Sequence, residues 1–391
     1  MQETIPAKST RYHALDIWRG VVCVVVVLEH AAVALWTDQV GFEGSSRVQR
    51  AIVTCLTLNI GAPLFFVISG YCIASSLESS RRKGISPVHF LARRLWRIFP
   101  PYWVSLALIA AVVVVLDRLD LRWLHQTAVG LELYAPADFT FAQWVGNITL
   151  TETWRPLVGG PGFLLLNRVS WALCYQEQFY LVCFLALILL PARLQAALAA
   201  ATLAIVGFHL VSWDIGSDSR HAGLFPDLWH EFAVGLLLFW RINVATSTIS
   251  RRAVEVGLFG LFLVGCFEGV TSTAAAAAFG LLLILCYRWD PAVARVEGFN
   301  PLRACGKRSY SVYLIHLPVC TVGNAALAAL GLSTFWSRAL IMVPIVTIAS
   351  IAAGWAFFGV ADRRFTNLPS IRGWRTKLGA TSPRGVVAVE T

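Results

Sequence analysis

One apolar stretch near the start of the chain contains the residues best suited to chemistry. The run LDIWRGVVCVVVVLEH at 15–30 includes Asp16, Arg19, Glu29 and His30. On an α-helix, His30 lies about 20° around the axis from Arg19 and roughly 16 Å along it, so the two share a face. Asp16 can pair with Arg19, whereas Glu29 points elsewhere. A neutral histidine is the usual general base, but the spacing alone also allows a simple hydrogen bond between helices.

A second candidate group is basic. The run FLARRLWRIFPPYW at 90–103 contains Arg93, Arg94 and Arg97 ahead of two prolines. Arg94 and Arg97 share a helix face, and we expect the helix to break at the prolines. Arginine presents forked donors to phosphate oxygens. The pair is therefore interpreted either as a phosphate clamp or as an anchor that fixes topology.

Further polar residues lie in other apolar runs, where each is a candidate substrate or structural site. They are Ser69 and Tyr71, then Trp171, Gln176 and Glu177, and finally Glu231 and His316. Proline, glycine and serine around Ser69 favour close helix packing. None of the HExxH, GxSxG, Walker or GxGxxG motifs accompanies these residues. The cysteines contain no CxxC pair, and no metal site is expected.

The elements that carry these residues are predicted to be membrane helices. Of the 391 residues, 57% are hydrophobic and only 14% are charged, whereas soluble domains carry about 25% charged residues. Apolar runs long enough to cross a bilayer predict an all-α polytopic membrane protein of about ten spans. The expected spans are 17–36, 52–78, 101–117, 169–190, 194–213, 224–241, 253–270, 273–289, 309–331 and 335–361.

The charge distribution predicts the orientation of these spans. Most of the 32 Lys and Arg residues fall in the segments on the same side as both termini, which places both termini in the cytoplasm. The surplus therefore serves orientation, and no nucleic-acid partner is expected. We predict a cytoplasmic segment 1–14, a membrane domain 15–365 and a basic, disordered cytoplasmic tail 366–391. The longest outer segment, 118–168, is expected to be a structureless insert of the kind that is often functional, and its GGPG stretch at 159–162 is predicted to be an irregular loop.

Seven motifs, taken together in this order, resemble the acyltransferase 3 family of membrane O-acyltransferases over residues 10–365. They are Leu15-Asp16-x-x-Arg19-Gly20, Arg19-x10-His30, FFVISGY at 65–71, RRLWRIFPPYW at 93–103, WALCYQEQFY at 171–180, EFAVG at 231–235 and SYSVYLIHLP at 309–318. The resemblance implies a ten-helix domain that uses acyl-CoA, usually acetyl-CoA, as donor and needs no metal. It implies a catalytic role for His30 and donor binding by Arg94 and Arg97. The chain departs from the family where a glutamate is usual, because that position is Gln176 and the acid follows at Glu177.

These observations predict an O-acyltransferase that acts on a hydroxyl of a carbohydrate or glycosylated acceptor. The expected location is the lipid bilayer of a bacterial cytoplasmic (inner) membrane. His30, supported by Arg19 and Asp16, would provide the catalytic group, and Arg93 would join Arg94 and Arg97 at the donor. Two alternatives stay open: a proton-coupled transporter of a polar solute that uses the charged residues of the first span as a relay, and a catalytically inactive binding protein.

Overall fold

The computed structural model describes residues 12–35, 46–126, 131–213 and 223–366. Within these ranges the chain forms helices and helical turns and no β-strand, which confirms the predicted all-α class. The helices are α1 Leu15–Ala32, α2 Arg47–Leu56, α3 Gly61–Arg82, α4 Pro87–Arg118, α5 Phe141–Thr149, α6 Trp171–Leu189, α7 Leu194–Trp213, α8 Trp229–Asn243, α9 Thr248–Phe267, α10 Thr271–Tyr287, α11 Asp290–Val293, α12 Asn300–Lys307, α13 Ser309–Ala329, α14 Phe335–Ser337 and α15 Val343–Val360. The predicted segment 1–14 and the predicted tail lie almost entirely outside the described residues.

The helices make this a multi-pass integral membrane protein. Seven helical stretches in the described part of the chain are long and apolar enough to cross a membrane. They contain α1, α2 with α3, α4, α6, α7, α13, and α14 with α15, and α10 is a shorter apolar helix. The other predicted spans coincide with α8, α9 and α10. The count of ten spans and the cytoplasmic termini stay predictions.

Two predicted helix boundaries are wrong. The run 52–78 is divided between α2, which ends at Leu56, and α3, which begins at Gly61, and Asn59 in the connection has a φ of 54°. In the other case no break occurs, since α4 continues through Pro100 and Pro101 for 32 residues. A helix of that length is about 48 Å long, which exceeds the hydrocarbon thickness of about 30 Å.

The sequence predicts a structureless insert between α4 and α6, but the described residues of this segment include α5 and several helical turns and pack into the bundle. The stretch 159–162 is irregular, as predicted. Tyr102 and Trp103, halfway along α4, donate hydrogen bonds of 2.8 and 2.9 Å to the carbonyls of Asn147 and Ile148 in α5. The Asn147 side chain donates to the Leu164 carbonyl and accepts from the Leu166 amide. Buried side chains thus satisfy backbone groups that an open loop would leave to water.

A buried ion pair stabilises the same segment. Glu152 is fully buried and forms two hydrogen bonds of 2.8 and 2.9 Å with Arg155. These bonds raise the pKa of the Arg155 guanidinium above its usual range. Arg155 also donates to the carbonyls of Pro161 and Gly162, so the glycine-rich stretch 159–162 is attached to the rest of the segment.

Glycines allow the central helices to approach closely. A Cβ on Gly70 in α3 would lie 2.1 Å from the carbonyl oxygen of Phe232 in α8, and one on Gly235 would lie 2.1 Å from that of Val67. No side chain fits at such distances. The expected close packing around Ser69 is confirmed, and the two glycines bring α3 and α8 into direct backbone contact.

Candidate active site

A cavity of about 420 Å³ lies between five helices, α1, α3, α4, α6 and α13. These helices carry the motifs that contain Arg19, Ser69, Arg94, Gln176 and His316, and all five residues line the cavity. Positions far apart in sequence therefore face one cavity.

One end of the cavity is basic. Arg19, Arg93, Arg94 and Arg97 line it together with Thr366. They meet because α1, α4 and α13 begin at this end of the bundle while α3 and α15 run toward it. The predicted grouping of Arg93 with Arg94 and Arg97 is thus found in the fold, and Arg19 joins it.

The arginines at the basic end differ in their partners. Arg97 forms an ion pair with Asp362, which is fully buried and also accepts a hydrogen bond from Ser311. Arg94 instead lies over the rings of Phe90 and Tyr180, 5.8 Å from each centroid, and pairs with no carboxylate among the described residues. Arg94 therefore keeps its charge available to a ligand, while most of the Arg97 charge is neutralised.

The remaining two arginines are held by polar contacts. Arg19 lies 3.5 Å from Asp16, and both side chains are about one-third exposed. The predicted pairing of these two residues is confirmed. Arg93 donates to the Ser80 hydroxyl at 3.2 Å. Exposed ion pairs of this kind are weak, so Arg19 can exchange its partner for a ligand phosphate.

Away from the basic end, the walls of the cavity are aromatic and apolar. Ser76 and Phe65, both on α3, line it, and eleven residues of helix correspond to roughly 16 Å. Tyr180, Tyr310 and Tyr313 add aromatic surface. The shape suits an extended, thin ligand whose anionic end stays among the arginines.

His316 lines the deep end of the cavity and is fully buried. Its Nδ1 lies 2.8 Å from the Tyr313 carbonyl and 3.1 Å from that of Val312. A carbonyl only accepts hydrogen bonds, so Nδ1 carries the hydrogen of the neutral ring and Nε2 carries the lone pair. No described group bonds to this Nε2.

His30 contacts the His316 ring. The two ring centroids are 4.9 Å apart with an interplanar angle of 73°. His30 does not line the cavity, so His316 lies between the cavity and His30. Its Nδ1 donates to the Val26 carbonyl at 2.8 Å, which leaves the lone pair on Nε2 as well.

Glu29 does not face this site. Its carboxylate accepts hydrogen bonds from the amides of Ile60 and Gly61, at 2.7 and 3.1 Å. These amides are at the N-terminus of α3, where a negative side chain satisfies free N–H groups and the helix dipole. The sequence prediction that Glu29 points elsewhere is correct, and its role is to cap a helix.

Gln176 and Glu177 are separated by the helix as their spacing implies. Gln176 lines the cavity, hydrogen-bonds the Tyr180 hydroxyl and has one amide atom without a partner. Glu177 is half-buried and does not line the cavity. Gln176 thus occupies the position that faces the ligand space.

The other predicted residues pack outside the cavity. Tyr71 is buried against Tyr12 and Phe239, and Trp171 contacts Phe66 and Tyr175. Glu231 is almost fully buried near the start of α8. One carboxylate oxygen of Glu231 has no hydrogen-bond partner among the described residues. In the described ranges, no three His, Cys, Asp or Glu side chains are grouped as a metal site would need.

The sequence did not single out Asp362, Tyr180 or Tyr313. Asp362 follows the last apolar run and precedes Arg363 and Arg364. In the sequence it is therefore indistinguishable from the charged residues that mark the end of a membrane span. A lone acid beside an apolar run is the signal that could have identified it. The two tyrosines belong to motifs already noted, but only the fold turns them toward the cavity.

Comparison with known proteins identifies a family whose sequence pattern this chain matches. The sequence profile described as acyltransferase domain matches residues 12–358. The chain is 26% identical over 360 residues to a Komagataeibacter xylinus protein assigned as the membrane-bound transacylase BcsY. The aligned region covers 88% of this chain and 81% of BcsY. No solved structure is detectably similar.

Two further relatives are longer than the matched region. The chain is 26% identical over 291 residues to O-acetyltransferase OatA of Staphylococcus aureus, and 23% identical over 300 residues to peptidoglycan O-acetyltransferase OatA of Listeria monocytogenes. Each match covers 68% of this chain and 46% of the relative. The chain therefore matches about half the length of the OatA proteins.

Proposed function

The chain belongs to the acyltransferase 3 family and is a membrane O-acyltransferase, and from this premise we propose its substrates. The donor is an acyl-coenzyme A, in the simplest case acetyl-CoA, and the acceptor is a hydroxyl of a carbohydrate or glycosylated molecule. The observation that carries the proposal is the cavity between α1, α3, α4, α6 and α13, which we call the donor cavity. It is lined by four arginines at one end and by the buried imidazole of His316 at the other.

The donor half of the proposal rests on charge and shape. The phosphates of coenzyme A cannot enter an apolar interior without partners, and Arg94, Arg93 and Arg19 offer donors at the basic end. The thin pantetheine arm matches the aromatic passage from this end toward His316. This arrangement brings the thioester to the deep end while the nucleotide stays among the arginines.

The acceptor half rests on His30, which we propose as the general base. Its Nε2 carries the lone pair, and its side chain is half-buried and does not line the donor cavity. Arg168 lies close enough to interact electrostatically with it and pairs with Glu132 at 2.9 Å. Both partners are about one-third exposed and offer groups that bind hydroxyls. His30 removes the hydroxyl proton, and the oxygen attacks the thioester carbonyl.

The orientation follows from the same charge bias that the sequence shows. We propose that the basic end faces the cytoplasm, where acyl-CoA is made, and that the acceptor reaches His30 from the other side of a bacterial inner membrane. The peptidoglycan named for the Listeria relative makes cell-envelope glycans the first acceptors to examine.

The transporter alternative has less support. A proton relay would need the acids of α1 to be free, yet Glu29 is occupied by two amides of α3 and Asp16 lies beside Arg19. Gln176 does not support the alternative of a catalytically inactive protein. Its side chain lines the cavity, and its amide oxygen has no hydrogen-bond partner and is available to a ligand.

The decisive experiment measures labelled-acetyl transfer from acetyl-CoA by the protein in nanodiscs, with soluble peptidoglycan glycans as acceptors. His30→Ala should lower transfer about 10²–10⁴-fold, the usual contribution of acid–base assistance, and should keep donor binding. His13→Ala is the matched control, because His13 is exposed and lies outside the cavity. Near-normal transfer by His30→Ala would reduce that histidine to a packing residue.

A second measurement identifies the acceptor. Mass spectrometry of cell-envelope glycans and secreted metabolites, with and without the chain, should show one class whose mass rises by one acyl group. Identical spectra in both strains would remove the carbohydrate acceptor from the proposal.

A further inference from the structure

Transfer from a thioester to a hydroxyl requires that the hydroxyl proton end on the sulfur. We propose that His316 is a second catalytic residue, which receives this proton from His30 and delivers it to the departing coenzyme A thiolate. The inference rests on the proposed function and extends it to the leaving group. In this proposal, His30 contacts the acceptor and His316 contacts the donor.

The first support is the state of the His316 ring. Its Nδ1 hydrogen is engaged by two backbone carbonyls, and its Nε2 has no partner although the ring is fully buried. Buried polar atoms are almost always satisfied in proteins, and an exception calls for an explanation. A ring fixed at one nitrogen and vacant at the other can accept and release a proton only at Nε2.

The second support is position. His316 lines the donor cavity and at the same time contacts the His30 ring at 4.9 Å between centroids. His30 does not line this cavity. A proton taken up by His30 on the acceptor side therefore meets His316 before it reaches the sulfur on the donor side.

The proton balance of the reaction closes through these two rings. The hydroxyl gives its proton to His30 Nε2 as its oxygen bonds to the acyl carbon. The carbon–sulfur bond breaks with its electron pair on sulfur. The His30 imidazolium passes the proton to the vacant Nε2 of His316, which gives it to the thiolate. The products are the ester and the neutral thiol, and both rings regain their starting state.

The physical need for this step comes from the surroundings. Without it, a thiolate and an imidazolium would coexist among apolar helices, where isolated charges are poorly solvated. Tyr313 and Phe65 are aromatic neighbours of this end of the cavity, and neither supplies a cation. Neutralising the sulfur by proton transfer also lets the product leave toward the basic end as a thiol.

The experiment compares two donors that differ in the acidity of their leaving thiol. Acetyl-CoA releases an ordinary alkyl thiol, whereas 4-nitrophenyl thioacetate releases an acidic thiol that leaves without protonation. With a soluble peptidoglycan disaccharide as acceptor, His316→Gln and His316→Phe should lower kcat with acetyl-CoA about 100-fold, within the range for acid–base assistance. With the aryl donor, the same variants should lose less than about 5-fold, because the assisted step is no longer needed.

Two controls separate this role from structure. Cys320 is buried one turn further along α13, and Cys320→Ala should affect both donors equally and slightly. His30→Ala should lose transfer with both donors, because the hydroxyl must still be deprotonated. Equal losses with both donors in the His316 variants would overturn the relay and return His316 to a packing role.

Wild-type protein that transfers no acetyl group to any hydroxyl would instead disprove the proposed function itself, so the two failures are distinguishable.

Discussion

Arg94 and Arg97 differ in how much of their positive charge is available to a ligand in the donor cavity, although they are three residues apart on one helix. Arg97 is tied to the buried Asp362, and Asp362 in turn accepts from Ser311 in α13. Arg94 lies over two aromatic rings and pairs with no carboxylate among the described residues. One arginine therefore holds α4, α13 and the end of α15 together, and the other is free to bind phosphate.

This difference predicts unequal effects of the same substitution. Arg94→Gln should weaken coenzyme A binding about ten- to hundred-fold, since hydrogen bonds to charged groups contribute about 1.5–3 kcal/mol, and should flatten its salt dependence. Arg97→Gln should instead destabilise the fold by about 3–5 kcal/mol, because it leaves a buried carboxylate without a cation. Calorimetry with coenzyme A and thermal unfolding measure the two effects.

Two further variants serve as controls for this comparison. Arg295 is exposed and does not line the cavity, so Arg295→Gln should change neither quantity. Asp362→Asn combined with Arg97→Gln should recover part of the lost stability, since no charge is then left unpaired. Equal loss of coenzyme A affinity in Arg94→Gln and Arg97→Gln, with unchanged stability, would contradict the division of roles.

Single residues of the site are predictable where a helix carries them at a regular spacing. Arg19, His30 and Arg94 are examples, because one helical turn fixes their relative direction. The partner of Arg97 is more than 260 positions away in sequence, and the contact of His30 with His316 joins the first apolar run to the ninth. No periodicity within one helix encodes such contacts, so they became visible only in the fold.

At the scale of elements, the α1–α3 connection depends on one carboxylate. Glu29 near the end of α1 caps the first turn of α3, and a Cβ on Gly61 would lie 2.7 Å from the same carboxylate. The cap fixes where α3 begins, and so fixes the height of Phe65 and Ser69 along the cavity. Glu29 thereby positions a cavity wall without facing the ligand.

Glu29→Leu should therefore lower stability by about 1–2 kcal/mol, the range of a lost N-cap. Glu29→Gln retains one acceptor oxygen and should lose less, with acetyl transfer within a few-fold of wild type. Thermal unfolding in detergent and labelled-acetyl transfer by the same preparations provide the measurements. A transfer loss in Glu29→Gln as large as that of His30→Ala would show that the carboxylate takes part in the chemistry.

Hydropathy located the long helices well and their interruptions poorly. The spans 194–213 and 309–331 nearly coincide with α7 and α13, because lipid favours unbroken helices. The break at Asn59 and the continuation through Pro100 depend instead on tertiary contacts, such as the cap from Glu29 and the packing of α4 against α5 and α6. Apolar composition carries no information on either.

For the whole molecule, the arrangement of the arginines predicts sidedness. If the basic end faces the cytoplasm, Lys83 between α3 and α4 is inside and Val158 between α5 and α6 is outside. Both positions are exposed. After Cys55 and Cys266 are replaced by serine, Val158→Cys should react with an impermeant thiol reagent in intact cells. Lys83→Cys should react only after the cells are permeabilised, and the opposite pattern would invert the proposed orientation.

The position of His316 at the end of the cavity has an electrical consequence. A passage that joined the donor side to the acceptor side would conduct protons and ions down the membrane potential, at about 2.3 kcal/mol per elementary charge for each 100 mV. The His316 ring ends the donor cavity, and His30 stands beyond it. In the proposed orientation, one proton returns through the two imidazoles for each acyl group that crosses between the substrates, so turnover moves no net charge, and the packed rings close the passage to other ions.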